Sequence, residues 1–155
     1  LINTSTLTKE ELYKMKPEEI TLLLYQALTK NIEDSIQAIK RKDFGKANQK
    51  LQRSNEIVER LGVGINYEAG VIADQLHVLY NYMSDKLFQA NVRKDIETCE
   101  EVLKITNRIA DGWIQSMASH KSGSKLNQAI KKKSSYEEQL DFNMENDKAG
   151  YKKSI

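Results

Sequence analysis

Apolar residues recur along this chain at steps of three and four, the spacing that gathers side chains on one face of an α-helix. Four such stretches follow one another. The first opens at Pro17-Glu18-Glu19. Proline's fixed φ suits the first helical position, and the two carboxylates favour the positive end of the helix dipole. Lys16 makes a poor N-cap, so this boundary is set only to within a residue or two, and the pattern runs to about Lys42. Asp43 is a good N-cap for a second helix over 44–61 or longer. Its Ala47, Leu51, Ser54, Val58, Leu61 and Ile65 follow the alternating four-three spacing of an antiparallel bundle seam. Gly62 and Gly64 either interrupt this helix or loosen its end. A third helix covers about 67–91. After the polar Asn91-Val92-Arg93-Lys94 link, Asp95 caps a fourth that runs to about Ser119. Cys99, Val102, Leu103, Thr106, Ile109, Ala110, Trp113 and Met117 share one face of it.

No stretch alternates as a strand does, and no internal repeat is present. Long helices with short links predict an all-α fold, an antiparallel up-down-up-down helical bundle. The domain plan is an N-terminal cap segment over 1–16, a four-helix bundle over 17–119 and a polar, basic tail over 120–155. Ser122-Gly123-Ser124 breaks the periodic pattern, and Leu126, Ile130 and Leu140 are too sparse to sustain a helix beyond it.

A bundle helix needs one apolar stripe a little over 100° wide, and two of the four exceed this. On the third helix, Ala69, Ile72, Ala73, Leu76, Tyr80, Met83, Leu87 and Ala90 make the core stripe. Leu79 widens it, and Val71, Val78 and Tyr82 carry it toward the opposite side. On the first helix, Ile20, Leu22, Leu23, Leu24, Tyr25, Ala27 and Leu28 point nearly all round the axis. Something must cover such surplus. The cover is the chain's own N-terminal segment and tail, a second copy of the chain, or an amphipathic helix of a partner. The third reading selects Leu22, Leu23, Tyr25, Val71, Val78 and Tyr82 as docking residues.

Composition narrows this picture. With 155 residues, 30% charged and 39% hydrophobic, the chain fits one soluble domain with a real core. No apolar run approaches the roughly 18 residues of a membrane span. Leu1 to Met15 has no apolar core of a secretory leader. The single Cys99 has no internal disulfide partner, which suits a reducing cytoplasm. Residues 1–118 carry 16 basic and 17 acidic side chains, residues 119–155 carry 8 and 5, so the positive charge sits in the tail. The Lys131-Lys132-Lys133 triplet reads as a solvated run, and no nucleic-acid or membrane-inserted partner is expected.

Catalytic chemistry finds no footing. His77 and His120 lie far apart in the chain. Asp74, three residues before His77 on the same helix, suggests an exposed ion pair; a metal-binding or ligand-binding bundle would need more ligands than this. Phosphate loops, paired Glu-x-x-His motifs and C-x-x-C are absent. Cys99 falls on the apolar stripe, where a buried inert thiol is the default. No enzyme, cofactor or metal is expected.

Several short motifs nevertheless stand in a familiar order. Pro17-Glu18-Glu19-Ile20 with Leu24-Tyr25-Gln26-Ala27-Leu28, then Tyr80-Asn81-Tyr82-Met83, then Leu87-Phe88-Gln89-Ala90-Asn91 ahead of Asp95, and finally Trp113, resemble the FliS family of flagellin export chaperones. The resemblance spans about residues 17–118. Two departures stand out. Gln26 replaces an acid of the family pattern, and Tyr13 is the only tyrosine ahead of Pro17, closer to it than the family's groove-capping tyrosines. The resemblance implies a cytoplasmic chaperone that binds the disordered C-terminal segment of flagellin, prevents premature polymerisation and helps delivery to a component of the flagellar type III export gate. It adds Asn91 and Tyr13 to the docking residues. A self-associating helical module, weakly homodimeric through the surplus stripe, is the alternative.

Overall fold

A computed structural model describes residues 8–66, 68 and 70–131, with side chains described as far as residue 119. Its helices are α1 (Lys9–Lys14), α2 (Pro17–Lys40), α3 (Phe44–Val63), α4 (Val71–Arg93) and α5 (Ile96–Lys131). Helices α2 and α3 pack together, as do α3 and α4, α4 and α5, and α2 and α5. This closes the predicted up-down-up-down bundle, and no strand occurs among the described residues.

The chain sets its helix boundaries by local chemistry. Thr8 and Glu11 form a reciprocal capping box that starts the short α1. Pro17 begins α2 behind Lys16, whose backbone N–H donates to the Glu19 carboxylate at 3.2 Å. The side-chain oxygen of Asp43 accepts from the Lys46 amide at 3.2 Å to cap α3. Gly64 ends α3, so its glycines loosen the terminus without breaking the helix. Before α5, Asp95 accepts from the Thr98 hydroxyl at 2.6 Å and the Glu97 amide at 3.1 Å. These bonds, the Thr98 hydroxyl foremost, hold its carboxyl below the usual range.

Two expected boundaries are corrected. Helix α4 begins at Val71 rather than near 67, because Gly70 takes φ 73, a conformation no helical residue adopts. Helix α5 does not stop near Ser119 but continues through Ser122-Gly123-Ser124 to Lys131. Serine and glycine inside a helix each cost only about 0.5–1 kcal/mol, and the residues that follow are good helix formers. The expectations for residues 1–7 and 132–155 lie outside the described residues.

The core follows the periodic stripes. Leu28, Ile32, Leu51, Ile57, Val58, Met83, Leu87, Cys99 and Val102 are buried between the four long helices. Ser35, Ser54 and Thr106 are fully buried too, and each returns its hydroxyl to a carbonyl about one turn earlier, at 2.6, 2.8 and 2.9 Å. Small side chains that satisfy themselves in this way allow close helix approach without an orphaned polar atom. Burial pushes the Cys99 thiol up, consistent with an inert core residue. Helix α1 buries none of its residues.

Candidate docking grooves

Two apolar depressions lie on opposite sides of α4. The first is a cleft of about 360 Å³ near the start of α2, lined by residues including Thr21, Tyr25, Leu61, Ile65, Ile72, Leu76, Tyr80 and Trp113. Its floor is an aromatic cluster. Tyr25 is only 1% exposed, and its hydroxyl lies 2.5 Å from that of Tyr80. The Trp113 ring stands edge-on to Tyr25, with centroids 6.3 Å apart and planes at 72°. Trp113 Nε1 donates to the Glu18 carbonyl at 3.0 Å, tying α5 to the first turn of α2. Burial raises both tyrosine pKa values, and for Tyr25 the bond to Tyr80 adds to the rise. Both hydroxyls therefore remain neutral across the physiological range and act as hydrogen-bonding groups alone.

The second depression is shallow, about 530 Å³, and runs along the outer face of α4 past Val71, Asp74, Gln75, Val78, Leu79 and Tyr82. Val71 is 71% exposed and Val78 67%. Tyr82 closes one end: its hydroxyl donates to the Glu101 carboxylate on α5, and the Lys86 ammonium sits 5.5 Å from its ring centre. The Glu101 carboxylate pushes the Tyr82 pKa up. The Val78 and Leu79 side chains and the Tyr82 ring offer apolar area with two polar handles beside it.

This geometry can bind the apolar face of a peptide, and it sits in a chain whose relatives are recognisable. A family model described as "Flagellar protein FliS" matches residues 3–120. The chain belongs to the FliS family. It is 30% identical over 105 residues to the flagellar secretion chaperone FliS of Bacillus subtilis (strain 168), covering 68% of this chain and 78% of that protein. It is 29% identical over 101 residues to the protein of that name from Salmonella typhimurium, covering 64% and 75%, and 31% identical over 101 residues to that of Escherichia coli K12, covering 64% and 74%. A family of secretion chaperones agrees with the lack of a catalytic constellation in the sequence. The family match ends at residue 120, inside α5.

Within this FliS-family bundle the expected docking residues separate. Val71, Val78 and Tyr82 come together in the α4 depression. Leu22 and Leu23 are half-buried on α2, and Tyr13 is 78% exposed on α1. Tyr25 departs from the surface expectation. It belongs to the core, where its hydroxyl meets that of Tyr80 on α4 and its ring meets Trp113 on α5. It meets the cleft only as part of its floor. Asn91 is half-buried, with its amide nitrogen donating to Asn48 Oδ1 at 2.8 Å and its own Oδ1 accepting from Lys94 at 2.8 Å. Its side chain holds α4 to α3 and to its own C-cap.

Ile72 is a further correction. Placed on the core stripe by its spacing, it is 64% exposed at the mouth of the cleft, because α4 has only just begun there. His77 meets the Asn81 side-chain nitrogen at 3.2 Å. No cluster of metal-ligating side chains occurs among the described residues, and no helix among them is long and apolar enough to cross a membrane. Gln26 has both side-chain polar atoms buried without a hydrogen-bond partner among the described residues.

Proposed function

We propose that this chain is a cytoplasmic flagellar secretion chaperone that binds the disordered C-terminal region of flagellin. It blocks premature polymerisation and aids delivery to the flagellar type III export apparatus through a component of the export gate. The observation that carries this reading is the outer face of α4. Val71, Val78 and Tyr82 present an exposed apolar strip, joined by Leu79, which packs back against the core along one edge, in a chain of the FliS family. A disordered segment laid there as an amphipathic helix offsets its ordering entropy by burying this strip. Tyr82 suits the role because its ring supplies area while its hydroxyl remains bonded at the rim. Leu22 and Leu23 on α2 and Tyr13 on α1 are further contacts proposed for the same segment, outside the α4 depression.

Isothermal titration with a flagellin C-terminal peptide should give binding with a negative heat-capacity change. Val78→Asp with Tyr82→Asp should weaken it by about tenfold or more. Both positions are exposed, so helical circular dichroism should be retained. A peptide that does not bind at high micromolar concentration overturns the proposal. If light scattering instead finds a dimer that flagellin peptide does not dissociate, the apolar strip serves self-association.

A further inference from the structure

Helix α5 outruns the bundle. It lies antiparallel to α2, with Asn107 beside Thr29 and Trp113 Nε1 bonded to the Glu18 carbonyl in the first turn of α2. From Trp113 the helix continues to Lys131, about 27 Å further at 1.5 Å per residue. The cleft of about 360 Å³ opens at the foot of this overhang, with Trp113 in its wall and Ile72 64% exposed at its mouth. Such a volume takes a few apolar side chains and not a whole helix. Helix α1 does not fill it, since α1 buries none of its residues and none of them lines the cleft.

The sequence of the overhang and of the tail beyond it is sorted by charge. Residues 114–133 hold Lys121, Lys125, Lys131, Lys132 and Lys133 and no acid. Residues 134–147 hold Glu137, Glu138, Asp141, Glu145 and Asp147 and no base, and 148–155 turn basic again. Residues 8–19, at the foot of the overhang, carry three lysines and four glutamates, two of which, Glu11 and Glu19, bond backbone amides as caps. That stretch is close to balance, so the lysine run further out is not already neutralised by it. A run of one sign followed by a run of the other draws the chain back along itself.

The apolar residues of the tail fall at the length this return requires. An extended chain covers at most about 3.3–3.6 Å per residue, so about eight residues after Lys131 bring it back level with Trp113. Leu140, Phe142 and Met144 come next, alternating with Asp141, Asn143 and Glu145. Three apolar positions are too few to predict a strand of a sheet. In extended backbone, however, all three turn to one side and the polar residues to the other. The carboxylates at 137 and 138 precede them, within the stretch that passes the lysine run.

We propose that the tail is a built-in occupant of the cleft: it returns along the basic overhang of α5 and seats Leu140, Phe142 and Met144 over Tyr25, Tyr80 and Trp113. The opposed charges guide the return, and the apolar side chains supply the burial. Because the segment is tethered, its effective concentration at the cleft is high without strong contacts, and a partner that uses the cleft must displace it. The α4 strip lies on the other side of α4, so this inference does not depend on what that strip binds.

The test uses the full chain. Trp113 is its single tryptophan and Cys99 its single, buried cysteine, so both a fluorescence reporter and engineered thiols are free of interference. Leu140→Ser with Phe142→Ser should shift Trp113 emission to the red and increase its quenching by acrylamide. Both changes lie outside the bundle, so helical circular dichroism should be retained. Under mild oxidation, Ile72→Cys with Asn146→Cys should form an intramolecular disulfide at least about tenfold faster than Val78→Cys with Asn146→Cys. Val78 is also within the tail's reach but on the α4 strip. Added salt, or Glu137→Lys with Glu138→Lys, should slow the Ile72 reaction.

Equal rates at Ile72 and Val78 overturn the proposal, because a tail without a seat samples both. A faster reaction at Val78 overturns it by placing the tail on the α4 strip. A disulfide that forms between chains does so by assigning the cover to a second copy. Trp113 fluorescence that ignores Leu140→Ser with Phe142→Ser but responds to Ile2→Ser assigns the cleft to the N-terminal segment instead.

Discussion

Tyr80 and Tyr82 stand two residues apart on α4, and their hydroxyls meet opposite environments. Tyr80 turns inward and bonds Tyr25 across the core, with Trp113 edge-on to the Tyr25 ring. Tyr82 turns outward, bonds the exposed Glu101 carboxylate and lies along an open apolar strip. A step of two residues is about 200° around a helix, so one short sequence serves two surfaces. The buried pair has no water to fall back on, whereas the outer hydroxyl can trade its protein partner for solvent. The same kind of side chain is therefore a buried structural group on one side of α4 and an exposed group beside an open apolar strip on the other.

The contrast breaks most clearly at Tyr25. Tyr25→Ala removes a ring from the centre of the α2–α4–α5 packing and leaves the Tyr80 hydroxyl without its partner. It should cost about 3–5 kcal/mol in denaturant unfolding, the scale of large aromatic truncations in a core. A loss close to zero would mean that Tyr25 belongs with the surface residues, as its sequence context first implies.

Tyr80→Phe tests the hydrogen bond separately from the ring. It leaves the Tyr25 hydroxyl buried and unpaired, at a cost of about 1–3 kcal/mol. Its pH dependence has a definite sign. Both pKa values are raised in the folded state, by burial first and, for Tyr25, by the Tyr80 bond as well. The unfolded chain therefore releases these protons first, at about pH 10. The stability they contribute is complete below that pH and is lost as pH rises above it toward the raised folded values. Tyr80→Phe removes one titrating group, so the alkaline limb of its stability curve should be shallower. Equal limbs in both proteins would show that the pair does not titrate as a buried unit.

Gln26 offers a change in the other direction. Its amide is buried and unpartnered beside the aromatic core residue Tyr25 in sequence. Gln26→Met keeps length and removes the desolvated polar atoms, so it should stabilise the bundle by about 1 kcal/mol. A destabilised variant would mean that the amide has a partner in solution.

These residues also explain what the sequence made legible. Periodic stripes and the caps at Pro17, Asp43 and Asp95 were enough for the four long helices and their antiparallel order, because each boundary is set within a few residues of chain. The surplus strip of Val71, Val78 and Tyr82 was legible for the same reason, since it widens one stripe. Tyr25 was not, because apolar residues point nearly all round the start of α2 and the pattern alone does not say which of them meets Tyr80 and Trp113. The end of α5 was misplaced because serine and glycine only weaken a helix and do not stop it.

The smallest effect is the most discriminating. Tyr82→Phe deletes the bond to Glu101 from an exposed position, where water takes over both partners, so the melting temperature should not shift measurably. The ring and its area remain, so flagellin-peptide binding should weaken far less than with Val78→Asp. Tyr80→Phe makes the identical chemical change two residues earlier and should give the reverse result, lost stability with an intact α4 strip. If Tyr82→Phe destabilises the fold as Tyr80→Phe does, the Glu101 bond is a structural tie between α4 and α5. The outer face of α4 would then be part of the scaffold, not a surface held ready for a client.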